Sequence, residues 1–152
     1  MIRITDFNTL LTQMVAAIQP ANPEVSGFVL VANEKHLVRK LGDKPGIWLA
    51  VTIPSADPET VNEDNVAESN IFWMFILGKV DPGSMNDADE IEHYQKIQDV
   101  VTAVKNWLRD EKLNGNEFLE YLNLQSIHTD PEYQFGGWNG WSINANFDTE
   151  GY

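Results

Sequence analysis

Residues Ile71-Phe72-Trp73-Met74-Phe75-Ile76-Leu77 form an uninterrupted run of large apolar side chains. Successive side chains of a strand point to opposite faces, so a strand of this composition leaves neither face for water. The run is far shorter than the roughly 20 apolar residues that a membrane-spanning helix needs. It predicts a central strand covered on both sides. The long amphipathic helix that follows it in sequence supplies one cover. The other must come from a second layer of the same chain or from another copy of it.

Two segments have helical periodicity. Over residues 5–19, Phe7, Leu10, Leu11, Met14, Val15 and Ile18 recur at the spacing of one helix face, with Thr5 or Asp6 as N-cap and Pro20 and Pro23 as the stop. From about Asn86 to Leu113 the stripe is Ile91, Tyr94, Ile97, Val101, Val104 and Leu108. Asp87, Asp89, Glu90 and Glu92 suit the positive end of that helix dipole, Arg109 and Lys112 suit the negative end, and Asn114-Gly115 is a fitting C-cap. Strands are expected at Phe28–Val31, at Ile47–Ile53 before Pro54, over residues 117–127 and over residues 141–148. In the last of these, Trp141, Ile143, Ala145 and Phe147 alternate with Ser142, Asn144, Asn146 and Asp148.

Three stretches read as breaks or connections. Glu34–Lys40 is either a hairpin turn with its return strand or a protruding loop. Residues 54–69, with Pro54, Pro58 and no Lys or Arg, read as a long acidic loop. His128-Thr129-Asp130-Pro131 reads as the end of a strand. The expected fold is a single α+β domain over residues 1–152. It has an antiparallel or mixed sheet of about five strands, packed with an N-terminal helix and one long helix.

The chain offers little that reads as catalysis. His36, His93 and His128 are far apart, no serine sits in a G-x-S-x-G setting, no phosphate-binding glycine loop occurs, and there is no cysteine. Asp57, Glu59, Glu63, Asn65 and Glu68 fall on an EF-hand-like count. Asn62 stands where the required glycine should be and Val61 where a ligand should be. No catalytic residue, metal site or cofactor is therefore expected. The balance of 23 acids against 10 bases, net charge −13, argues against nucleic-acid phosphates and anionic lipid as partners. The first residues have neither a signal-peptide pattern nor a lipidation motif, which predicts a cytoplasmic protein or a particle assembled there. Tyr133, Phe135, Trp138 and Trp141 suggest either a sugar-stacking platform or core filling. Trp141, in register with Ile143 and Phe147, reads as core; for Trp138, on the glycine-rich turn, interface and core are balanced readings.

The element order, helix, strands, long helix and two closing strands, resembles the tail terminator and tail-completion proteins of long-tailed bacteriophages. The closing stretch Asn139-Gly140-Trp141-Ser142-Ile143-Asn144-Ala145-Asn146-Phe147 looks like the final strand of small phage-derived proteins. The resemblance implies a non-enzymatic subunit of a ring, typically a hexamer, that caps the tail tube and meets other neck or tail proteins. Such a protein is a virion component assembled in the bacterial cytoplasm, or a cytoplasmic one if a prophage remnant. The residues expected at contacts are Lys35, Arg39 and Lys40 on one side, Asp57, Glu59, Glu63 and Asp64 on the other, and Trp138. The alternative is a carbohydrate- or ligand-binding module built on Tyr133, Trp138 and Trp141.

Overall fold

The structure, a computed structural model, describes residues 1–62, 65–81 and 83–150. It is an α+β domain with the element order α1 (Ile4–Ile18), β1 (Val25–Val31), α2 (Glu34–Leu41), β2 (Ile47–Thr52), β3 (Asp57–Asn62), β4 (Asn65–Lys79), α3 (Asp87–Leu113), β5 (Leu122–Phe135) and β6 (Trp138–Glu150). A short 3-10 turn, Glu117–Leu119, leads into β5. The mixed sheet runs β1-β2-β4-β6-β5, and β3 pairs with the first half of β4.

The apolar run is the second half of β4, and β4 is the centre of the sheet. It pairs antiparallel with β6 from Ala67↔Glu150 to Lys79↔Trp138, and on its other side with β3 and then β2. Phe72, Met74 and Ile76 share one face with Leu49, Val51, Ile143, Ala145 and Phe147, and α1 and α3 both lie over that face. Phe7 of α1 meets Phe72 edge-on, ring centroids 5.5 Å apart, and Phe118 and Phe147 extend the cluster. The two long helices therefore share one side of the sheet.

The opposite face is covered in part by α2. Strands β1 and β2 are parallel, and parallel neighbours require a crossover, which α2 supplies. Leu37 and Leu41 are its only buried residues, and they pack on Val31, Ala50, Phe75, Leu77 and Trp138. Glu34–Lys40 is thus a helical segment, neither return strand nor loop. Asn33 caps it by accepting the His36 N–H at 3.0 Å, and Lys40 Nζ donates to the Leu30 carbonyl at 2.5 Å.

Residues 54–69 are corrected in the same way, since most of them form the β3–β4 hairpin. Proline is tolerated in β3 because this strand bonds on one side only. His128–Pro131 does not end a strand either: β5 continues through it to Phe135 as the sheet's edge, where Pro131 is again tolerated. The sheet therefore has six strands against about five expected. Helix α1 starts at Ile4, so Thr5 and Asp6 lie inside it and Arg3 occupies the N-cap without a side-chain bond.

At α3, the Asn86 side chain accepts the Asp89 N–H at 2.9 Å and satisfies one of the free amides of the first turn. Asn86→Ala is expected to lower stability by about 1 kcal/mol. Urea unfolding checks this, and an unchanged midpoint would show that the cap contributes nothing.

Candidate functional site

Where α2 ends, the second face of β4 opens. Along that face run Ile71, Trp73, Phe75 and Leu77; Phe75 and Leu77 are buried under α2, while Ile71 is 40% and Trp73 37% exposed. Trp73 stacks on Phe75 at 6.0 Å and 12°, and Phe75 meets Phe135 at 5.1 Å, so an aromatic row runs from the open part of the face to the covered part. A groove of about 360 Å³ lies beside it, lined by Leu37 and Glu34 of α2, Thr52, Trp73, Phe135 and Glu132.

The backbone beneath this patch is already satisfied. Ladder pairing between β2 and β4 ends at Val51↔Met74, and pairing with β3 begins at Ser69↔Asp57. In the gap, the Trp73 N–H donates to Thr52 Oγ1 at 2.8 Å, and the Ile71 N–H to Ser55 Oγ at 3.2 Å. The Ser55 N–H donates to the Ile71 carbonyl at 2.9 Å. An incoming partner thus finds side chains at this patch rather than a free strand edge.

Polar groups border the apolar patch. Register places Ser142, Asn144 and Asn146 of β6 opposite Phe75, Trp73 and Ile71, on the same face. Ser142 donates to Glu132 at 2.8 Å, and Ser69 to Asn146 at 2.7 Å. On the outer side of α2, Lys35, Arg39 and Lys40 are exposed. Lys40 is engaged with the Leu30 carbonyl, which ties α2 to β1. Asp57 and Glu59 are exposed on β3, and Ser55 donates to Asp57 at 3.1 Å. Glu63 and Asp64 lie outside the described residues.

Trp138 is 0% exposed and belongs to the cluster under α2, where its Nε1–H donates to the Gly42 carbonyl at 3.1 Å. It is core, and the reading of Trp138 as a contact residue is corrected. Trp141 packs on the other side of the sheet and donates to the Tyr94 carbonyl at 3.0 Å. Tyr133, Trp138 and Trp141 therefore do not form one stacking platform.

The aromatic on an open face is Trp73, which the sequence placed inside a doubly covered strand. The signal available was the alternation within the run. Ile71 and Trp73 share a face whose cover is a helix with only two apolar anchors.

The remaining chemistry is dispersed. His36 Nδ1 accepts the Ala32 N–H, His128 lies 3.1 Å from Asp130, and His93 Nε2 lies 3.1 Å from the Asn139 carbonyl. Among the described residues no three His, Asp or Glu side chains are placed to hold a metal ion, and no helix is long and apolar enough to cross a membrane. No protein-family model matches the chain, and no curated protein is similar to it.

Proposed function

We propose that this chain is a non-enzymatic structural subunit that assembles with copies of itself, as a phage or prophage tail terminator or a neighbouring neck or tail component does. The observation that carries this reading is the exposed Ile71–Trp73 patch on the central strand, at the end of the sheet that α2 leaves open. Contiguous apolar surface rimmed by polar groups favours a protein partner.

Charge favours a second copy as that partner. In a chain of net charge −13, Lys35, Arg39 and Lys40 gather three of the ten Lys and Arg residues on one short helix, and Asp57 and Glu59 stand on the hairpin across the sheet. A head-to-tail contact joins the basic helix of one subunit to the acidic hairpin of the next, and such heterologous contacts close into rings. A virion component built this way is assembled in the bacterial cytoplasm, or stays there in a prophage remnant. Its other partners are neck or tail proteins.

The double reversal Lys35→Glu with Arg39→Glu tests the pairing and leaves the internal bond of Lys40 intact. Surface pairs of this kind weaken as salt rises. Sedimentation velocity should show wild-type association falling with added salt and the variant shifted toward monomer at low salt. Association unchanged in the variant at every salt concentration would rule out the charge pairing.

A further inference from the structure

A second concavity lies away from the sheet's open face, between the first turns of α3 and the tip of the β5–β6 hairpin. It encloses about 200 Å³. Its walls are Tyr94 and Glu90 from α3, Tyr133 from β5 and Asp81 from the segment after β4, with Val80 and Met85 adding apolar surface. The hairpin turns tightly here because Gly136 and Gly137 both have positive φ, +58° and +89°.

The cavity is rich in acceptors, and the ring of His93, which also lines it, has its Nε2 directed at the Asn139 carbonyl at 3.1 Å. Tyr94 donates its only hydroxyl proton to the Glu132 carbonyl at 2.8 Å, which leaves its oxygen as an acceptor. Glu90 and Asp81 add two carboxylates. Among the described lining residues there is no Lys or Arg. Lys79 passes behind Gly137, but its ammonium is held by the Asp43 carboxylate and the Gly42 carbonyl. Burial raises the Tyr94 pKa, and the charge of Glu90 raises it further, so negative potential already disfavours a phenolate there. Carboxylates beside tyrosine rings favour a cation with an apolar skin, through charge and through the ring quadrupole. The two acids do not converge with a third to chelate a bare metal ion.

We infer that the cavity between Tyr94, Tyr133, Glu90 and Asp81 binds an organic cation, an alkylammonium or guanidinium group. The cation is either a free amine or the tip of a basic side chain from another copy. The site is separate from the Trp73 patch and does not depend on it.

Choline and its neutral carbon isostere 3,3-dimethyl-1-butanol are the probes, read by amide NMR. Choline should produce saturable shifts at Gly136, Gly137 and Asn139, and the alcohol should not. Glu90→Gln and Tyr133→Ala alter partly solvated side chains and should each weaken choline binding about three-fold or more, with the rest of the spectrum unchanged. If the natural occupant is a neighbour's side chain, the same amides shift as the protein alone is concentrated, and choline reverses the change. If it is a free amine, they do not move on concentration. Shifts that never saturate, equal binding of the alcohol, or full affinity in both variants would overturn the site.

Discussion

Trp138→Ala will destabilise the fold by about 4 kcal/mol, among the largest effects any single truncation has here. The side chain is fully buried between α2 and the sheet, and its removal leaves a cavity bounded by Leu37, Leu41, Phe75 and Leu77. It also strips the Gly42 carbonyl of its indole donor, just where α2 terminates. Lys79 Nζ still donates to that carbonyl at 3.0 Å, so the acceptor keeps a partner and the lost indole bond adds about 1 kcal/mol or less to the transfer and cavity costs. Trp138→Phe keeps most of the packing and loses the hydrogen bond, so it should cost about half as much or less. Chemical denaturation of both variants measures this, and the loss should be independent of protein concentration. A small, concentration-dependent loss would instead mean that Trp138 meets a partner.

Trp73→Ala is expected to behave in the reverse way. The ring is 37% exposed and rests on Phe75, so its truncation removes little from the monomer's core. In the proposed assembly the same ring, which lines the groove between α2 and β5, is the aromatic that meets the partner's surface. An aromatic anchor at the centre of a contact contributes about 2 kcal/mol or more, so self-association should weaken about thirty-fold. Paired measurements of unfolding midpoint and association constant separate the two tryptophans. Trp138 should move the first, and Trp73 chiefly the second.

How far the sequence revealed this arrangement depended on how many residues carried each signal. The stripes of α1 and α3 contain many apolar positions at helical spacing, and both helices pack on the sheet through them, although Ile91, counted in the α3 stripe, is 71% exposed because the helix packs only from Tyr94 onward. The apolar run also marks the centre of the sheet. What the run could not reveal was that its two faces are treated differently, because alternation within a uniformly apolar segment leaves no polar residue to mark the open side.

The short helix α2 was hidden for a related reason. With only Leu37 and Leu41 buried, its face is two residues wide, and charges dominate the rest. The Asn33 cap and Gly42 at its end were the available signals. The acidic composition and prolines of residues 54–69 suggested a loop because β3 is bonded on one side, where polar residues and proline cost little. At the candidate site, the basic and acidic groups Lys35, Arg39, Asp57 and Glu59 do lie exposed, whereas for Trp138, balanced between interface and core, the structure selects core and not contact. A glycine-rich turn raised the expectation of exposure at Trp138, yet the turn is confined to Gly136 and Gly137 and Trp138 already belongs to β6.

The assembly reading stands on the open half of β4. Sedimentation velocity of the wild-type chain and of Trp73→Ala, over a wide concentration range at low salt, addresses it directly. The account predicts that the wild-type chain forms a closed oligomer as concentration rises and that Trp73→Ala remains largely monomeric over the same range. A wild-type chain that stays monomeric throughout, or a variant that associates as the wild type does, would contradict it.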